Sequence, residues 1–214
     1  LFGPTQVHSI NHSKYVFVIV DDYSRYTWTL FLKHKSDTFE MFKIFAKRIK
    51  TSTDLKIKNI RSDHGGEFEN ELFTNFCNKK GIIHNFSFPR TPQQNGVVER
   101  KNRTLQECAR TLLNSSDLPK NFWAEAVATA CYVLNRVTLR PMTKHTCYEM
   151  FYKRKPKITY FRIFGSKCFI LNTKDNLGNF DAKADEGIFI GYSDRSKAYQ
   201  IFNKRTNLIE ESLH

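Results

Sequence analysis

Two phrases decide the fold: Asn59-Ile60-Arg61-Ser62-Asp63-His64-Gly65-Gly66-Glu67-Phe68, and Thr91-Pro92-Gln93-Gln94-Asn95-Gly96-Val97-Val98-Glu99-Arg100-Lys101-Asn102-Arg103. From Leu55 to Ser62 apolar and polar residues alternate at the period of a strand, and Gly65-Gly66 stops the pairing. Asp63 is therefore expected at the strand's carboxyl end. Asn95-Gly96 then opens a helix on which Val98, Leu105, Ala109 and Leu112 recur at the helical repeat, with Glu99 in the first turn. On that helix Glu99, Asn102, Arg103, Gln106 and Arg110 share one face, which keeps polar and basic groups beside the acid. Two acids without a partner repel each other. Their natural use is to hold a hard divalent cation such as Mg²⁺ through oxygen ligands, and such a cation works on phosphates.

These phrases resemble the catalytic core of retroviral and retrotransposon integrases, specifically those of the Ty1/copia type. The resemblance rests on Ser62-Asp63-x-Gly65-Gly66-Glu67-Phe68, on the run from Thr91 to Arg103, and on the 35 residues between Asp63 and Glu99, all agreeing together. It implies an α/β protein with an RNase H-like mixed sheet flanked by helices. Asp63 and Glu99 are then the second and third members of an Asp-Asp-Glu triad, holding two Mg²⁺ ions, or Mn²⁺ in their place. The implied chemistry is 3′-end processing of DNA and strand transfer, with DNA as partner and homo-multimers assembled on paired DNA ends. By the same resemblance Gln94, Asn95, Asn102 and Arg103 contact DNA. Arg90 and Gln93 in the loop before the helix, and Arg100, Lys101 and Gln106 along it, complete the candidate DNA-binding set.

The family's first aspartate lies in a phrase like Asp-Leu-x-Gly-Pro, and this chain opens Leu1-Phe2-Gly3-Pro4. The missing acid is expected directly before Leu1, within a longer polyprotein, and the 214 residues alone are expected to be inactive. A competing reading is a non-catalytic DNA-binding or assembly remnant of a decayed or domesticated element. An RNase H acting on hybrids shares the fold but would carry a further aspartate late in the core.

Composition agrees with a nucleic-acid partner. The net charge is +13 and the pI about 9.6, an excess that calls for a polyanion. No apolar run reaches membrane-spanning length, so nucleic acid is preferred to a membrane surface, and a nuclear site of action after a cytoplasmic stage is expected. Five cysteines stand apart with no Cys-x-x-Cys pair, which fits reduced thiols, and His8 and His12 have no cysteine pair to complete a zinc site.

In chain order a hairpin is expected over Lys14–Asp21 and Tyr26–Leu32, with Asp21-Asp22 fixing its turn rather than binding metal. A helix follows from Ser36-Asp37, with Asp37 and Glu40 in capping-box spacing and Phe39, Phe42, Phe45, Ala46 and Ile49 facing inward. After the Asp63 strand come a helix over about 70–80 closed by Gly81, a strand from Ile82 to Phe88, and, past the Glu99 helix, another over 121–134. Glu67, Glu69 and Glu71 read as a solvated helix start, His64 as surface decoration, and Trp28 and Trp123 as core. The domain reading is a core over 1–137, a basic linker over 138–158, and a small SH3-like β-barrel over 159–214.

Overall fold

The computed structural model describes residues 1–87, 95–141, 143–172, 182–193 and 196–213. They form two compact units, one of Leu1–Val20 with Thr29–Arg103 and one of Asp21–Trp28 with Thr104–His214. Among the described residues no helix is long and apolar enough to cross a membrane.

In the first unit the run Tyr-Val-Phe-Val-Ile-Val becomes β1 (Tyr15–Val20), with Val16, Phe17 and Val18 buried, and pairs with β2 (Thr27–Leu32). Phe2 adds a two-bond bridge to Val16. Gly3 makes this approach possible: its φ is +120°, and a Cβ there would lie 2.6 Å from the Lys14 carbonyl oxygen. Helix α1 (Thr38–Thr53) buries Phe42, Phe45 and Ile49. Its start differs from expectation: the Asp37 carboxylate accepts the His34 N–H at 2.9 Å, while Glu40 pairs with Lys43.

The strand expected from Leu55 begins only at Asn59. Asp54 ends α1 in a left-handed conformation, and Leu55 emerges 51% exposed, with no strand partner among the described residues. Strand β3 (Asn59–Ser62) pairs in parallel with β4 (Ile83–Phe86), and α2 (Glu71–Lys80) is the crossover such a pair requires. Asn70 caps α2 by accepting the Phe73 N–H at 3.0 Å, and Gly81 closes it at φ 65°. Phe73, 1% exposed, anchors α2 against Phe39, Phe42 and Phe68 at ring distances of 5.4, 5.3 and 5.9 Å. The mixed sheet is thus present as two ladders, a hairpin and a parallel pair.

Helix α3 (Gly96–Ser116) gives its residues up to Arg103 to the first unit and the remainder to the second. In the second unit the Asp21 carboxylate accepts the Ser24 N–H at 2.8 Å as well as its hydroxyl, and Asp22 pairs with Arg25, so these acids do fix a turn. Helix α4 (Trp123–Val137) places Asn135 so that its amide both donates to Thr27 O (2.8 Å) and accepts from Thr27 N (2.9 Å). A buried side chain there does the work of a neighbouring strand.

The linker expected over 138–158 is instead built structure. It contains α5 (Cys147–Tyr152), opened by a capping box between Thr146 and Glu149, and buries Cys147, Tyr148 and Met150. Phe151 stacks on Tyr26 at 5.0 Å and meets Trp28 edge-on at 5.0 Å. Strands β5 (Lys167–Leu171), β6 (Ala184–Tyr192), β7 (Tyr199–Asn203) and β8 (Leu208–Ser212) form one antiparallel sheet in that order. Strand β5 starts at Lys167, just after Gly165 at φ 82° turns the chain against Ser116. Among the described residues these four strands form one antiparallel sheet, as the expected SH3-like segment requires.

Glu125 on α4 is 6% exposed, and its Oε2 has no hydrogen-bond partner among the described residues. Burial pushes its carboxyl above the ordinary value. A raised folded-state value means that stability is fully present below the unfolded carboxyl range and is lost as pH rises through the folded value. Glu125→Gln should therefore stabilise the protein by about 1 kcal/mol or more at pH 8 and by nothing at pH 3, read as the difference between thermal melts at the two pH values.

Candidate metal and nucleic-acid site

The parallel β3–β4 pair sets the geometry. Asp63 follows Ser62 at the carboxyl end of β3, and the Ser87 N–H donates to Ser62 O at 2.9 Å, carrying the ladder one step past β4. The buried Ser62 hydroxyl donates to the Asp63 carbonyl oxygen at 3.0 Å and lies 2.9 Å from His84 Nε2. A hydroxyl has one hydrogen, so with that hydrogen on the Asp63 carbonyl the Nε2–H of His84 must be the donor to Ser62. Burial lowers the His84 pKa, against an upward pull from Glu69, which favours the neutral imidazole. Phe86 packs 4.3 Å from His84 and stacks on His64 at 5.1 Å; His64 Nδ1 meets Glu69 Oε2 at 3.0 Å.

Asp63 is exposed, and its Oδ1 accepts the Gly65 N–H at 3.3 Å, a long bond. The turn closes when Gly65 O accepts the Phe68 and Glu69 N–H groups at 2.8 and 2.9 Å. Glu67, expected as part of a solvated helix start, folds back: its Oε2 lies 2.8 Å from where a Cβ on Gly65 would stand. The Leu1 amino group feels both acids. Burial pushes its ammonium below the usual range, while Asp63 first and Glu67 second pull it upward. Asp63, Glu67 and the Leu1 nitrogen therefore share one locale.

Glu99 is exposed in the first turn of α3. One helical turn earlier Asn95 donates from Nδ2 to Ser87 Oγ at 2.9 Å. Asn95 and Glu99 are i and i+4, neighbours on a helix surface. Hydrogen bonds thus lead from Ser62, next to Asp63, through Ser87 to Asn95, four residues before Glu99. Both offer carboxylate oxygens, the donor type a hard divalent cation takes. Among the described residues no three His, Cys, Asp or Glu side chains converge on a metal-sized point. The donor set fits Mg²⁺ in kind and is short in number.

Of the candidate DNA-binding residues, Arg90, Gln93 and Gln94 lie outside the described residues. Arg100, Arg103 and Gln106 are exposed and Lys101 is half-buried. The Arg100 guanidinium folds over Gly96, with Nη1 3.7 Å from the place of its Cβ. Asn102 turns its Oδ1 into a buried position with no hydrogen-bond partner among the described residues. Ser62, His84, Ser87 and Glu67 were not singled out from sequence as site residues. Only the parallel register, which pairs Ser62 with Phe86 and Ile60 with His84, reveals the first three.

Residues 4–92 match the integrase core domain and residues 166–214 the retroviral polymerase SH3-like domain. The chain thus carries an integrase core domain and a retroviral SH3-like domain. Asp63 lies inside the first match and Glu99 beyond its end. Over 94% of its length the chain is 36% identical to the retrovirus-related Pol polyprotein from transposon TNT 1-94 of Nicotiana tabacum, of which it spans 15%. The magnesium-bound HTLV-2 integrase catalytic core in its trimeric form shares the fold at TM-score 0.50 and 23% identity, over 64% of this chain and 83% of that one. A chain of the simian T-cell lymphotropic virus intasome in complex with the PP2A regulatory subunit B56 gamma aligns at TM-score 0.54 and 16% identity, over 93% and 72%. The architecture is therefore the RNase H-like one of integrase cores, followed by an SH3-like sheet.

Proposed function

We propose that this chain is the catalytic segment of a Ty1/copia-type retrotransposon integrase, carrying out DNA 3′-end processing and strand transfer within its full polyprotein. The observation that carries the reading is the linked placement of Asp63 at the end of β3 and Glu99 in the first turn of α3, with 35 residues between them. Asp63 and Glu99 would hold Mg²⁺, or Mn²⁺. Bound there, the cation supplies Lewis-acid polarisation of the phosphoryl group and activation of the attacking oxygen. Arg100, Lys101 and Arg103 hold DNA phosphates along the same helix, joined by Asn95, Asn102 and Gln106 and by Arg90, Gln93 and Gln94 before it. The attacking oxygen belongs to water or to a DNA 3′-hydroxyl, so no covalent intermediate on the protein is needed.

Residues 1–137 then form the catalytic region and 159–214 the SH3-like one, with α5 between them. The working enzyme is a homo-multimer on DNA ends, as the trimeric form of the HTLV-2 core suggests by fold likeness, and acts on chromosomal DNA in the nucleus.

The test is strand transfer by the chain extended upstream of Leu1, with the 214-residue chain alongside. The extended chain should join oligonucleotide ends to target DNA only with Mg²⁺ or Mn²⁺. Asp63→Asn or Glu99→Gln should each lower the rate by at least roughly a hundredfold, the scale of losing one electrostatic stabiliser of the transition state. Unchanged strand transfer in either variant, or DNA binding without any strand transfer, would favour the non-catalytic remnant.

A further inference from the structure

We infer that Ser87 and Asn95 form a strut that sets Glu99 against Asp63, which makes both of them positioning residues for the reaction. The inference rests on reading Asp63 and Glu99 as the metal-holding acids. Ser87 is 6% exposed and faces both ways along the path between them. Its N–H is bonded to Ser62 O at 2.9 Å, next to Asp63 in the chain, and its Oγ accepts the Asn95 Nδ2–H at 2.9 Å, directly before α3. Seven residues, 88–94, separate the two in sequence, yet their side chains meet.

The first unit takes from α3 only the residues up to Arg103. Orientation of that short stretch decides where Glu99 points, and a side-chain bond one turn upstream is placed to set it. Ser87 is suited to the role because its buried hydroxyl has a partner of matching polarity in the Asn95 amide. An amide carries two N–H hydrogens and a carbonyl oxygen, so the strut leaves Asn95 capacity for a DNA contact as well.

The experiment uses the chain extended upstream of Leu1 and reads Mn²⁺ affinity by electron paramagnetic resonance, beside steady-state strand transfer and thermal melting. Ser87→Ala keeps the backbone bond to Ser62, so the ladder persists. Ser87→Ala and Asn95→Ala should each weaken Mn²⁺ binding by roughly three- to tenfold, the range of one hydrogen bond. The double variant should be no weaker than either single one, since the two share one interaction. Strand-transfer kcat should fall in the same proportion in both variants, with KM for DNA unchanged in Ser87→Ala, since Asn95 also serves the DNA. Singles whose affinity and kcat match the parent, while Asp63→Asn abolishes Mn²⁺ binding, would overturn the strut and leave the metal reading standing. Additive losses in the double variant would also overturn it. Mn²⁺ binding untouched by Asp63→Asn and Glu99→Gln would overturn both.

Discussion

The parallel pairing of β3 with β4 is the constraint on which the site depends. Its last bond, from the Ser87 N–H to Ser62 O, fixes where β3 stops, and Asp63 is the residue that follows. A parallel pair needs a crossover, and α2 supplies it with Asn70 and Gly81 as its caps and Phe73 as its apolar anchor. The same strand end then meets Asn95 through Ser87, so the register that places one acid also places the start of the helix that carries the other. Around this frame Ser62, His84 and Phe86 close the space beneath Asp63 with hydrogen-bonded and stacked groups, leaving the carboxylate outward.

Much of this was legible in sequence because local signals agreed with one another. The Asn70 and Gly81 caps, the buried Leu105 and Ala109 of α3, and the β-branched run of β1 each announce a single element. The misses share a physical reason. Leu55 to Ile57 alternates like a strand but has no strand partner among the described residues, and pairing rather than pattern makes a strand. Thr138 to Lys157 is basic and proline-bearing like a tether, yet the Thr146–Glu149 capping box and the apolar side chains Cys147, Tyr148 and Met150 fold its middle into α5. Ser62, His84, Ser87 and Glu67 escaped notice as site residues because a serine, a histidine or a glutamate in a polar sequence carries no mark of its neighbours. Their roles come from contacts across the fold, between positions as far apart as Ser62 and Ser87.

The second unit has its own logic. Asn135 completes the hydrogen bonding of Thr27, and Thr129 Oγ1 donates to Ile190 O at 2.9 Å, tying α4 to β6. Tyr132 stacks on Tyr192 at 3.9 Å with the Arg136 guanidinium 3.3 Å over the Tyr132 ring. The antiparallel sheet is thus seated on a helix of its own unit. Its inner contacts are aromatic and hydrogen-bonded, while the chain as a whole carries the +13 charge that suits a polyanion.

Strand and helix should deliver Asp63 and Glu99 to bound divalent metal, and anomalous diffraction from crystals soaked in Mn²⁺ decides whether they do. The expected map has manganese between the two residues, with at least one ion touching carboxylate oxygens of both, roughly 2.0 to 2.2 Å away as small hard cations require. Manganese on one acid with the other turned away, or the two carboxylates on opposite faces with no shared ion, would refute the metal site.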